Sequence, residues 1–160
     1  MIRHGIAVDT PNQLSIVAAD VLAHNLIGIS LLKEGASPAL HLTADRYYSM
    51  TDLTRVITRD FGYPFTYYDI PNFIDRLNRL SSPGDPVYPL LDFFNRSADK
   101  IAVMRLKRYS KVAYHRSRAR LHDPIANPTL SQTAGYLMRY LLEQGLIEPL
   151  GARPRYGETV

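Results

Sequence analysis

The stretch that decides the fold, residues 41–80, reads HLTADRYYSMTDLTRVITRDFGYPFTYYDIPNFIDRLNRL. It contains two signals for the start of a helix. Ser49 can cap a helix, and Asp52 would then lie in the first turn, where a negative charge is favourable. Pro71 suits the first turn of a further helix, because an N–H at that position has no helical partner. We therefore predict one helix from Ser49 and another from Pro71 to about Leu80.

Short strands are predicted at residues 40–43 and 65–69, which are rich in apolar and β-prone side chains. Residues 5–12 have the composition of a loop, and we predict no strand there. Apolar residues at three- and four-residue steps predict a helix over about 16–32, capped by Ser15. A last helix is predicted to start near Thr129, with an apolar face formed by Leu137, Leu141 and Leu142. The pattern predicts a mostly helical α+β fold with a few short strands rather than a layered sheet.

The composition excludes several classes of protein and site. The 160 residues include no cysteine, which rules out disulfides, thiolate metal sites and a cysteine nucleophile. No apolar run is long enough to span a membrane, and the first residues, MIRHG, are too polar for a secretory signal. We therefore expect a cytoplasmic protein without a membrane partner.

Motifs that bind cofactors or carry catalysis are absent from the sequence. It has no glycine-rich phosphate turn, no G-x-S-x-G elbow and no histidine spacing suited to a metal. No tyrosine is followed four residues later by lysine, and Tyr114 with Arg118 is the nearest mimic. Because arginine stays protonated, Tyr114 is interpreted as a packing residue. We predict no catalytic residue, no metal site and no cofactor site in this chain.

Four short motifs follow one another in a recognisable order. They are His41-Leu42-Thr43, Tyr48 to Leu53, Phe61-Gly62-Tyr63-Pro64, and Tyr68 to Phe73. This series resembles the C-terminal, substrate-side portion of thioester reductase domains, which belong to the extended short-chain dehydrogenase/reductase class. Such domains end nonribosomal peptide synthetases and carboxylic acid reductases. Phe73 stands where the family often has tryptophan, and Ala18 replaces a usual proline.

The resemblance implies a two-part enzyme. An N-terminal Rossmann part would bind NADPH and carry the catalytic residues, and the C-terminal part would shape a pocket for an acyl chain. That chain is tethered by phosphopantetheine to an acyl or peptidyl carrier protein. Residues 1–150 would be the C-terminal substrate-binding subdomain, without the Rossmann sheet, and 151–160 a loose tail. We expect the whole enzyme to release the chain as an aldehyde or alcohol, and this segment to be inactive alone.

Two groups of residues are candidates for contact with the substrate or carrier. Aromatic candidates for the pocket or its lid are Tyr67, Tyr88, Phe93 and Phe94. The pairs Tyr47–Tyr48 and Tyr67–Tyr68 are suited to lining an acyl pocket; alternatively, alternation along a strand sends one member of each pair inward for packing. Residues 100–120 contain eight lysines and arginines and no acidic residue. Candidates there for contact with the carrier or its phosphate are Arg105, Lys107, Arg108 and Lys111.

Alternative interpretations of these features stay open. The basic segment also fits a solvated helix face whose apolar side is buried. In a different class of function, the chain would be a stand-alone basic helical module that binds nucleic acid or an acidic protein. A face made to pack on a Rossmann part would be apolar and exposed in the isolated chain, which predicts self-association.

Overall fold

The computed structural model of the protein describes residues 1–32, 39–103 and 109–150, without the side chains of residues 102 and 103. The chain divides into two compact units. Within the described ranges, the first unit comprises residues 1–12, 49–103 and 130–150, and the second comprises residues 13–32, 39–48 and 109–129. The predicted tail, residues 151–160, lies outside the described residues.

Helices are the main regular structure of both units. The helices are α1 (Ala19–Ser30), α2 (Met50–Phe61), α3 (Ile70–Leu80), α4 (Leu91–Val103), α5 (Val112–Arg118) and α6 (Leu130–Glu143). The strands are β1 (Ile6–Val8), β2 (Gln13–Leu14), β3 (Tyr48–Ser49) and β4 (Thr66–Tyr68), and short 3-10 helices span Ile2–His4 and Tyr88–Leu90. The predicted fold class, mostly helical α+β with a few short strands, is confirmed. No helix within the described ranges is long and apolar enough to cross a membrane.

The helix starts predicted for α2 and α3 are confirmed by their caps. The N–H of Asp52 donates to Ser49 Oγ at 3.0 Å, and the N–H of Ser49 donates to Asp52 Oδ2 at 2.8 Å. That second bond lowers the pKa of the Asp52 carboxyl below its ordinary value. In α3, Pro71 lies in the first turn and Asp69 Oδ1 accepts from the N–H of Asn72 at 2.9 Å.

Two strand predictions were wrong. Residues 6–8, predicted as loop, form β1, which pairs in parallel with β4 so that Ile6 lies opposite Thr66. The predicted strand at 40–43 is irregular in the structure. Just after it, the N–H of Ala44 donates to Ser15 Oγ at 3.0 Å instead of joining a strand ladder.

The start predicted for α1 was also wrong. The helix begins at Ala19, and its N-cap, Ala18, makes no side-chain capping bond. Ser15, the predicted cap, uses its hydroxyl to accept from Ala44. Because a serine oxygen can serve either partner, the local sequence did not distinguish the two roles.

The core of the first unit lies between α2 and α6. Its buried residues are Ile57, Tyr63, Ala134, Met138 and Ile147. On α6, Leu141 packs against this cluster, whereas Leu137 and Leu142 are exposed. Only one of the three leucines predicted for the apolar face of this helix therefore contributes to the core.

Gly62 ends α2 in the left-handed conformation, with φ of 75°. A Cβ added there would lie 2.9 Å from Leu150 Cδ1, whereas one added at Gly84 would meet nothing within 4 Å. We expect Gly62→Ala to lower the free energy of unfolding by about 1–2 kcal/mol, because side chains are strained at this φ. Urea titration checks this, with Gly84→Ala as the matched control. Equal free energies of unfolding for the two variants would contradict the argument that a side chain is strained at Gly62.

Candidate functional site

A cleft in the second unit is the first candidate for a binding site. Its volume is about 510 Å³. It is lined by Ser15, Leu40, His41, Leu42, Thr43, Tyr47 and Tyr109. Apolar and aromatic walls with a few polar groups are typical of small-molecule sites.

Two aromatic rings in this cleft stack on each other. The His41 and Tyr109 ring centroids are 4.8 Å apart, and the rings are inclined by 27°. Both side chains are exposed, Tyr109 by 52%. The motif that contains His41 thus contributes a side chain to a cleft rather than a paired strand.

Lys111, a predicted carrier or phosphate contact, is held inside the second unit. Its Nζ donates to the carbonyl oxygens of Asp45 (2.6 Å) and Ala44 (3.3 Å). The same ammonium lies 5.1 Å from the centroid of the Tyr47 ring, within the range of a cation–π interaction. These contacts give Lys111 a structural role at the edge of the cleft.

Asp45 supplies the negative charge that the basic segment lacks in its own sequence. Arg118 Nη1 donates to both carboxylate oxygens of Asp45, at 3.0 and 3.1 Å. His115 Nδ1 lies 3.6 Å from Asp45 Oδ1. Part of the positive charge of residues 100–120 is therefore neutralised within the second unit.

The buried side chains of Tyr114 on α5 and Asn25 on α1 hold these two helices together. Tyr114 is buried, which confirms its interpretation as a packing residue. Its hydroxyl accepts from Asn25 Nδ2 at 3.4 Å. Asn25, fully buried, also donates to the carbonyl of Ile125 (2.8 Å) and accepts from its N–H (3.0 Å). These bonds hold α5 and the loop at Ile125 against α1, within the unit that contains the cleft.

A second cleft, of about 880 Å³, lies in the first unit and surrounds Asp85. The buried carboxylate accepts from the N–H of Ser82 (2.9 Å) and from Arg3 Nη1 (2.8 Å), and His4 Nε2 lies 3.5 Å away. The bond from Ser82 lowers the pKa of Asp85. Arg3 also donates to the carbonyl of Leu146 at 3.0 Å. These contacts join three distant parts of the first unit, so we interpret the cluster as structural.

The predicted aromatic candidates lie in the first unit, and none lines either cleft. Tyr88 belongs to a 3-10 helix, and Phe93 and Phe94 to α4, where their ring centroids are 5.7 Å apart. Tyr88 and Phe93 are exposed, and Phe94 is half-buried. Tyr67 lies on β4, with its hydroxyl 3.0 Å from Thr54 Oγ1.

Of the four basic candidates, the structure describes only Lys111; Arg105, Lys107 and Arg108 lie outside the described residues. Of the residues that line the cleft, the sequence predicts only Tyr47 as a residue suited to an acyl pocket, and it gives no such prediction for His41 or Tyr109. The one signal for His41 is its place in the motif His41-Leu42-Thr43. Tyr109 carried none, because its stacking partner is distant in sequence.

The turn from β4 into α3 does not fit the pyrophosphate of a nicotinamide dinucleotide. The connection from β4 to α3 places the Asp69 carboxylate at the helix N-terminus, where a pyrophosphate would bind, and Pro71 removes a donor N–H there. The described residues also contain no group of three or more histidine, aspartate or glutamate side chains that could hold a metal.

Asp45 provides a test of the ion network in the second unit. We expect Asp45→Asn to lower the free energy of unfolding by about 1 kcal/mol, because it leaves Arg118 without its anionic partner. The matched control is Asp92→Asn, which breaks the exposed pair of Asp92 with Arg96. Asp92→Asn should lower the free energy of unfolding by less than about 0.5 kcal/mol. Equal losses in urea titrations would show that the Asp45 network adds nothing beyond a surface ion pair.

The lowered pKa of His4 predicts how the free energy of unfolding depends on pH. Burial, the largest effect, lowers the pKa of His4 despite the neighbouring Asp85. The unfolded chain then binds more protons than the folded chain, so stability falls as pH decreases below the ordinary histidine pKa, about 6.5. We expect His4→Gln to lose less stability than the unaltered chain between about pH 7.5 and about pH 5.5. Urea titrations at both values measure this, and parallel losses would exclude the effect.

Comparisons with known proteins give one similarity of fold. No family model and no curated protein matches the chain. The chain is similar to the crystal structure of the terminal R domain from the myxalamid PKS-NRPS biosynthetic pathway, with a TM-score of 0.73 and 15% identity. The similarity covers 92% of this chain and 37% of that one. The chain therefore has the fold of part of a terminal reductase domain, as the motif series from His41 to Phe73 predicts.

Proposed function

We propose that this chain is the substrate- and carrier-side part of an NAD(P)H-dependent thioester reductase. The whole enzyme would release a carrier-bound acyl or peptidyl chain as an aldehyde or an alcohol. The observation that carries the proposal is the similarity of fold to a terminal R domain over 92% of the chain. The ordered motifs from His41 to Phe73 are a separate line of support, because they come from the amino-acid sequence and not from the similarity of fold.

The proposal assigns the cofactor to a separate Rossmann part. The β4–α3 connection presents a carboxylate where a phosphate would have to lie. We therefore assign to this chain only the binding and orientation of the acyl group. Holding a reactant in a fixed orientation lowers the barrier without any chemical step by the residues that hold it.

Exposed apolar side chains support membership in a larger assembly. At the C-terminal end of α1, Ile27 and the following C-cap residue, Leu31, are exposed by 62% and 75%, and Leu26 is exposed too. On the first unit, Tyr88, Leu90 and Phe93 are exposed together. Contiguous exposed apolar residues commonly mark surfaces that contact a partner or a ligand. In this proposal Tyr88 and Phe93, with Phe94, belong to a surface that contacts the substrate or the rest of the enzyme.

The test of this function uses a protein that joins the chain to an N-terminal cofactor-binding part of the same reductase class. We expect it to oxidise NADPH when given an acyl thioester on a carrier protein, whereas the chain alone should not bind NADPH in calorimetric titrations. Tight NADPH binding by the chain alone would contradict the proposal. So would binding of duplex DNA with a steep salt dependence, which favours a nucleic-acid module.

Carrier docking has its own prediction in the joined protein. Reversing the charges of Arg105 and Arg108 to glutamate should raise KM for the carrier-bound thioester, because positive charge attracts an acidic carrier. KM for a small N-acetylcysteamine thioester should stay unchanged. Arg79→Glu is the matched control, since Arg79 is an exposed arginine on α3. If both substrates respond alike, the basic segment does not recognise the carrier.

A further inference from the structure

We propose that the cleft of the second unit binds an aromatic acyl group, which stacks on the exposed ring of Tyr109. The inference deepens the proposed function, on which it rests for the thioester, by naming the class of acyl chain. The cleft itself is defined by contacts within one unit. Its volume of about 510 Å³ lies in the range of small-molecule sites, roughly 300–1,000 Å³.

The stacked pair of His41 and Tyr109 is the first argument for an aromatic ligand. Two rings 4.8 Å apart and inclined by 27° cover one face of each other. Because both side chains are exposed, ring surface stays open for a third ring. Offset stacking of aromatic rings contributes attraction beyond the burial of apolar area. An aliphatic chain in the same cleft would gain only the burial.

The remaining walls of the cleft are mostly apolar. Leu40, Leu42 and Tyr47 line it. The cation–π contact with Lys111, itself bound to two carbonyl oxygens, restricts the motion of the Tyr47 ring. A wall that is already fixed loses little side-chain entropy when a ligand binds, which favours affinity.

Ser15 gives the cleft a polar group of defined orientation. Its Oγ accepts from the N–H of Ala44 at 3.0 Å. The hydroxyl proton can then be donated to an acceptor on the ligand. An acceptor such as a ring hydroxyl or a carbonyl oxygen satisfies this donor. We therefore infer an aromatic ring that carries an oxygen substituent, of which a hydroxybenzoyl group is the simplest example.

The binding test uses the chain as it stands. The probes are the N-acetylcysteamine thioesters of 4-hydroxybenzoate and hexanoate, added to the protein labelled at its histidine rings. We expect the His41 ring signals in NMR spectra, assigned with His41→Asn, to shift with the aromatic probe. The aromatic probe should bind at least about five-fold more tightly than the aliphatic one, the range expected for one stacked ring pair.

Variants at Tyr109 decide whether its ring is responsible. Tyr109→Leu should weaken the aromatic probe about five-fold, whereas Tyr109→Phe, which keeps the ring, should change its affinity less than about two-fold. Tyr136→Leu, at an exposed tyrosine of α6 in the first unit, is the matched control and should have no effect. Equal affinity for both probes, or an unaltered affinity in Tyr109→Leu, would overturn the inference.

The two proposals fail in distinguishable ways. If the probe binds beside His41 but the joined protein reduces no thioester, the reductase assignment is wrong and the binding site stands. If the joined protein reduces thioesters but shows no preference for the aromatic acyl group and no response to Tyr109→Leu, this inference is wrong and the reductase assignment stands.

Discussion

The parallel pairing of β1 with β4 is the contact on which the first unit depends. Ala7 on β1 is fully buried, and β1 contacts both α2 and α3 as well as β4. The strand thus brings the beginning of the chain into the middle of the stretch that decides the fold. Arg3 and His4, which precede β1, are thereby placed beside Asp85. Without the pairing, the buried Asp85 carboxylate would lose the guanidinium of Arg3, and burial of an uncompensated charge is costly.

Local sequence was sufficient where one short segment contains both partners of an interaction. Ser49 and Asp52 satisfy each other's backbone, so the start of α2 could be predicted. β1 could not, because three residues form a strand only in the presence of a distant partner. Which residues of α6 face the core could not be predicted from the local sequence, for another reason. Its apolar residues surround most of the helix, so the packing of α2 selects Ala134 and Met138 over Leu137.

The site was less predictable than the fold, because its contacts are almost all distant in sequence. The basic segment lacks acidic residues in its own sequence, yet Asp45 neutralises Arg118, and backbone carbonyls bind Lys111. The stack of His41 on Tyr109 joins a residue of the motif series to one that no sequence pattern indicated. A charge count along the sequence therefore overestimates the cations that lack a partner within the chain. The sequence shows how many aromatic residues the chain has, but not which of their rings stack on each other in the folded protein.

In the second unit, α1 and α5 are held by buried hydrogen bonds, whereas the cleft is lined mostly by an irregular segment. Asn25 bonds both backbone groups of Ile125 and the hydroxyl of Tyr114, so buried polar contacts fix the position of α5. The cleft, in contrast, is lined mostly by an irregular segment around His41, whose side chains can change without loss of a helical hydrogen bond. In the proposed reductase, binding energy from such a cleft orients the thioester but adds no group to the reaction. Substitutions around His41 should consequently alter the choice of acyl chain while the chemistry, supplied elsewhere, stays constant.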